Sequence, residues 1–120
     1  MEESRNGQRH ARRLRAVIIC DENGKLAKTH GKTRDISISG ASIISDYNLK
    51  SNRPITVCLL IHPGDQINAP VIFEAESKIV SSILSTQQGG FRIGVEFIKV
   101  AESGATLLQK FLSASLATAG

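Results

Sequence analysis

Apolar and polar residues alternate along most of this chain, and the alternation breaks at short polar turns. The run R15-A-V-I-I-C20 is β-branched and ends at D21-E-N-G24. Asn-Gly between two strand-like runs predicts a type I′ hairpin, because both residues tolerate the positive φ that this turn requires. A second, more polar strand is expected over about 26–36, where Gly31 marks a bulge or a close approach of backbone. A third, A41-S-I-I-S45, follows S37-I-S-G40. The segment P54-I-T-V-C-L-L-I61 puts Ile55, Val57, Leu59 and Ile61 on one face and ends at P63-G-D65. From Val71 the apolar Val71, Phe73 and Ala75 alternate with Glu74, Glu76 and Lys78, and strand character runs on through Ile79 and Val80 to Ile83. The turn Q87-Q-G-G90 leads into F91-R-I-G-V-E-F97, with Phe91, Ile93, Val95 and Phe97 on one face and Arg92 and Glu96 on the other.

The period then changes. From about Glu102 to Leu116, the residues Leu107, Leu108, Phe111, Leu112 and Leu116 recur at helical spacing, with Ser103 as the expected N-cap. About six antiparallel strands with tight turns and one terminal helix predict an all-β fold. The expected architecture is a small, closed or nearly closed antiparallel β-barrel with a C-terminal α-helix that covers the barrel mouth or docks on a partner. Residues 1–13 are polar and rich in arginine and are expected to form a flexible arm. Residues 14–116 carry the barrel and its helix.

Composition sharpens this picture in three places. A chain of 120 residues is enough for one domain with its own core. The net charge of +4 is uneven, since Arg5, Arg9, Arg12, Arg13 and Arg15 supply five of the fifteen basic residues. The arm is therefore either a holder of anions or a solvated tail. Cys20 and Cys58 sit inside apolar runs and read as buried thiols of a reducing compartment rather than a disulfide. With His10, His30 and His62 scattered, no metal-ligand spacing arises. No run approaches the roughly 18 apolar residues of a membrane span, and the N-terminal charges are not followed by an apolar segment with a small-residue cleavage site, so no signal peptide is expected. A cytoplasmic protein without membrane insertion is expected. The chain also lacks a nucleophile elbow, a phosphate-binding G-x-x-x-x-G-K-[ST] loop and paired catalytic carboxylates, so a non-catalytic role without a cofactor is expected.

D35-I-S-I-S-G40 is a D-x-S-x-x-G pattern between two strands. Alternation is expected to put Asp35 and Ser37 on one face and Ile36 and Ile38 toward the core. A carboxylate beside a hydroxyl makes an acceptor-rich edge, and Gly40 permits positive φ or close backbone approach to a ligand. The competing reading is an Asx or Ser turn that only stabilises the connection.

The combination is more specific than either part. An R-x-x-x-R pair, Arg9 and Arg13, leads into the first strand, with 21 residues between Arg13 and Asp35. The chain then closes with the R92-I-G-V-E-F97 strand and a helix. This resembles the PilZ domain, the bacterial receptor module for cyclic di-GMP, over roughly residues 5–112. The resemblance implies a six-stranded antiparallel barrel with a C-terminal helix. It also implies that Arg9 and Arg13 grip phosphate and the Hoogsteen edge of guanine, that Asp35 and Ser37 receive the other guanine edge, and that Gly40 lets the ligand lie against backbone. Gly94 would leave room for a base in the same way. Arginine suits this ligand, because its planar fork pairs with phosphate or with guanine O6 and N7 through two parallel bonds. Arg5 and Arg9 also form an R-x-x-x-R pair; the spacing to Asp35 favours Arg9 with Arg13, and leaves Arg12 and Arg5 as additional contacts.

The resemblance implies a ligand receptor that signals to a protein partner as the arm orders on the barrel. One alternative is a small barrel that binds nucleic acid. Against it stand an aromatic content of only 4% and the absence of Trp, since single-strand readers offer aromatic platforms; nucleic acid is not the expected partner. The other alternative is an interaction module of the same fold that no longer binds nucleotide, for which the intact Arg, Asp, Ser and Gly set would have no use.

Overall fold

The computed structural model describes residues 8–22, 24–62 and 69–119, with the side chains of Glu22 and of residues 114–119 not described. Arg5, Asn23, the turn at P63-G-D65 and the side chain of Leu116 lie outside the described residues. The elements are β1 (Arg15–Glu22), β2 (Lys25–Ile36), β3 (Gly40–Ser45), β4 (Ile55–Ile61), β5 (Val71–Ser85), β6 (Gly90–Val100) and α1 (Glu102–Ala119). The strands close into a barrel in the order β1-β2-β3-β6-β5-β4, and every neighbouring pair is antiparallel. The all-β barrel with a C-terminal helix read from the sequence is the fold observed.

The first hairpin follows from its turn. Glu22 pairs with Lys25, which leaves a two-residue connection, and Gly24 sits at φ +81°. Its N–H donates to Asp21 Oδ1 at 3.1 Å. The period of two then builds the core, as Ile55, Val57, Leu59 and Ile61 of β4 are all buried, against Phe73 and Ala75 of β5 and Ile93 and Val95 of β6. Each large aliphatic side chain fully removed from water stabilises the fold by about 1.5–3 kcal/mol. Phe73 and Phe97 meet with ring centroids 5.2 Å apart and planes tilted by 57°, an arrangement favoured by the ring quadrupoles. Leu108, Phe111 and Leu112 of α1 join the same core, so the helix packs on the barrel through one stripe.

Three local expectations are corrected, and the choice left open at Gly31 is resolved. The helix begins at Glu102, where Ala105 N–H already bonds Ala101 C=O at 2.9 Å, so Ser103 lies inside the first turn and is not the cap. Gly31 marks a close approach and not a bulge: a Cβ there would collide with the Ile44 carbonyl oxygen, while the register shift of β2 falls between Thr33 and Asp35. Ile38 does not face the core. β2 stops at Ile36 and residues 37–39 turn, so the alternation ends; Ile36 is fully buried, Ser37 is buried and Ile38 is 46% exposed. Val71, at the start of β5, is likewise exposed, because the inward face of that strand begins at Phe73.

The length of β5 matters for the site. Val71–Ser77 pairs with β4 on one side, whereas Lys78–Ser85 pairs with β6 alone and carries the hairpin beyond β4. The outer face of β3, β6 and this part of β5 is thereby extended beside the end of β2.

Candidate functional site

The segment before β1 runs along β2 rather than away from it. His10 forms a two-way β-bridge with Ile36, with N–H···O distances of 2.8 and 2.9 Å. Thr33, only 1% exposed, fastens the next residues. Its hydroxyl accepts the Leu14 N–H at 2.7 Å and donates to the Arg12 carbonyl at 2.6 Å, and its own N–H bonds Leu14 C=O at 2.9 Å. Antiparallel travel along β2 carries residue 10 to the level of residue 36, so that Arg9 and Asp35 lie one residue either side of this bridge.

There the two sequence motifs meet. Arg9 Nη1 donates to Asp35 Oδ1 at 2.5 Å, and Arg34 Nη1 donates to Asp35 Oδ2 at 2.9 Å. The carboxylate is largely shielded, at 13% side-chain exposure, while Arg9 and Arg34 are 58% and 44% exposed. One buried acceptor thus holds two half-free guanidinium groups at the surface. Such charge-assisted bonds are shorter and stronger than neutral ones.

Ser37 and Gly40 are placed differently from a pair of open ligand contacts. Ser37 N–H bonds Gly40 C=O at 2.8 Å, and the Ser37 hydroxyl accepts the Ser39 N–H at 3.2 Å. Both residues therefore close the β2–β3 turn. Gly40 does not adopt positive φ. A Cβ there would strike the Val95 carbonyl oxygen, so the missing side chain lets β3 and β6 come together.

Gly94 joins Asp35 through the register. Asp35 lies opposite Ser42, Ser42 opposite Gly94, and Gly94 opposite Ser81. Ile43, Ile93 and Val95 are buried, so the alternation turns Ser42 and Gly94 outward. Three strands thus contribute a shelf of small residues beside the Arg9–Asp35–Arg34 cluster. At Gly94 an added Cβ would lie 2.5 Å from Ser81 Oγ and 3.4 Å from Val80 Cγ2, so the position is bordered by a small hydroxyl and a valine methyl.

Arg13 is exposed and lines a cavity of about 380 Å³ with His30, Lys32, Ile44, Asp46 and Gly89. Arg12 stands apart from this face, its guanidinium 4.9 Å from the centroid of Phe111 in α1. The structure thus brings Arg9, Asp35, Ser42 and Gly94 to one outer face, sets Arg13 beside Lys32, and turns Arg12 toward the helix.

A PilZ domain model matches residues 3–114 of the chain. The chain belongs to the PilZ domain family. That family is a cyclic di-GMP-binding module of bacteria, and its members are generally non-catalytic receptors or adaptors. Two solved structures share this PilZ fold. The Bacillus subtilis inhibitor of motility, MotI/DgrA, superposes with a TM-score of 0.70 at 15% identity, over 91% of this chain and 50% of that one. This chain therefore spans half the length of MotI/DgrA. The PilZ domain of CeSA from a cellulose-synthesizing bacterium superposes with a TM-score of 0.54 at 16% identity, over 90% of this chain and 98% of that one. No curated protein matches the chain. Among the described residues, no helix of this PilZ domain is long and apolar enough to cross a membrane.

Sequence reasoning missed Arg34, Thr33 and Ser42. Arg34 adjoins Asp35 in the chain, and its charge was a signal in plain view. Thr33 and Ser42 have no such mark, because their importance comes from the strand register alone.

Proposed function

We propose that this PilZ domain is a non-catalytic receptor for cyclic di-GMP that acts in the cytoplasm and passes the signal to a protein partner. The observation that carries the reading is the contact of Arg9 with Asp35, which joins the arginine motif of the arm to the D-x-S-x-x-G turn. In the bound state, the N–H edge of a guanine takes the place of Arg9 at the Asp35 carboxylate. Arg9, released, pairs with a phosphate or with the Hoogsteen edge of the base, and Arg13 takes a second position on the same ligand. The purine lies over Ser42 and Gly94, beside the Ser81 hydroxyl and the Val80 side chain. Ser37 and Gly40 hold the turn that fixes Asp35. Arg12 and Arg5 are further contacts of the arm. Closure of the arm over the ligand changes the surface next to Phe111 and α1, and that surface is the output to the partner.

Calorimetry with cyclic di-GMP tests this. The wild-type chain is expected to bind, and Arg13→Ala to weaken binding about tenfold or more, since charge-assisted bonds contribute roughly 1.5–3 kcal/mol. Equal affinity in wild type and Arg13→Ala would remove the arm from the mechanism. Cyclic di-AMP, whose adenines offer a donor where guanine offers O6, should bind far more weakly.

A further inference from the structure

Arg92 stands on the outer face next to the shelf, and neither family motif includes it. On β6, Ile93 and Val95 are buried, so Arg92 and Gly94 point outward together, two residues apart. Two residues along a strand span about 7 Å. Across the sheet, Arg92 lies opposite Ile44 of β3, and Ile44 lies opposite Lys32 of β2. A second row, Lys32–Ile44–Arg92, therefore runs alongside the row Asp35–Ser42–Gly94. Opposite Arg92 on its other side is Ile83 of β5.

The charges in the two rows are occupied differently. Arg9 and Arg34 share the Asp35 carboxylate, and Lys78 pairs with Glu96 at 3.3 Å. Among the described residues, Arg92, Lys32 and Arg13 have no ion pair. Arg92 is half-buried between two isoleucines, and among the described residues no carboxylate pairs with it. Lys32 and Arg13 line one cavity, whose acidic residue, Asp46, pairs with neither.

The charge count argues for the same face. Arg9, Arg34 and Asp35 together carry one net positive charge, and a cyclic dinucleotide carries two negative ones. The remaining charge has to be met nearby, and the unpaired cations nearby are Arg92, Lys32 and Arg13. We propose that Arg92 and Lys32 form a second phosphate site of this domain, holding the phosphodiester of a ligand whose base lies on the Ser42–Gly94 shelf. This inference rests on the cyclic dinucleotide reading and extends it to residues outside the R-x-x-x-R and D-x-S-x-x-G patterns. Arg92 serves as the fork and Lys32 as a point charge, with Ile44 between them under the ribose-phosphate ring.

The test is calorimetry with cyclic di-GMP on wild type, Arg92→Gln, Arg92→Lys, Lys32→Gln and, as a control for lost surface charge, Lys78→Gln. Arg92→Gln and Lys32→Gln are each expected to raise Kd about tenfold, as for loss of a charge-assisted bond. Both should also make affinity less sensitive to salt, with Arg92→Lys recovering part of the loss and Lys78→Gln staying within twofold of wild type. Melting temperatures should not change, which separates lost binding from lost folding. Wild-type affinity in Arg92→Gln together with a large loss in Arg13→Ala would overturn this inference and leave the receptor reading standing. Absence of binding by the wild type would overturn both.

Discussion

The hydroxyl of Thr33 takes the N–H of Leu14 and gives its own proton to the carbonyl of Arg12, from a side chain 1% exposed. Valine has the same shape but satisfies neither group. Thr33→Val is therefore expected to cost about 1–3 kcal/mol, the penalty for leaving buried polar groups unpaired. The loss should appear first as faster amide exchange in residues 10–14, ahead of global unfolding. Unchanged exchange there would show that the backbone bonds at His10 and Leu14 hold the arm without the hydroxyl. Cys58 offers a second residue-scale check. Burial raises its thiol, the nearby Glu74 raises it further, and Lys28 opposes them. The folded chain therefore holds this proton more tightly than the unfolded chain does. The resulting stability is present below the unfolded thiol's pKa and is lost as pH rises through the raised folded value. Alkylation of Cys58 by iodoacetamide at mildly alkaline pH should be slower than in an unstructured peptide, and a rate equal to the peptide's would contradict this.

At the scale of elements, the barrel was legible because period-two patterning and turn residues agree. Ile55, Val57, Leu59 and Ile61 face inward as the alternation requires, and Asn-Gly marks the first turn. Phe73 sits where β4, β5, β6 and α1 converge, fully buried and against Phe97. Phe73→Ala should lower stability by about 3–5 kcal/mol, measured by urea denaturation, because the space it leaves cannot collapse inside a closed barrel. A loss below about 1 kcal/mol would mean that the helix is free to move in and fill it. What the sequence concealed was register. A shift between Thr33 and Asp35 and a strand end at Ile36 turn Ile38 outward, against its apolar character. The same shift decides that Asp35 lies opposite Ser42, and through it in line with Gly94. No residue type announces such a pairing, which is why Ser42, Thr33 and Arg92 could not be read as neighbours of the motif. Gly40 and Ser37 show the converse. Their motif pattern was visible, while their observed contacts are those of a turn and a tight strand crossing.

For the whole molecule, the relevant quantity is where the +4 charge sits. The described arm lies against β2, Arg9 is held at a buried carboxylate, and Arg13, Lys32 and Arg92 border the same outer face without an ion pair among the described residues. On the proposed reading, an anion with guanine edges takes the Asp35 carboxylate from Arg9 and meets the cations that have no ion pair. The account is most directly tested by titrating cyclic di-GMP into the wild-type chain and into Asp35→Ala, with affinity read by calorimetry and the arm followed by amide NMR. The account predicts wild-type binding, shifts in residues 8–14 on saturation, and at least tenfold weaker binding in Asp35→Ala, the loss expected for a charge-assisted acceptor. Equal affinity in the two proteins, with residues 8–14 unmoved, would contradict it.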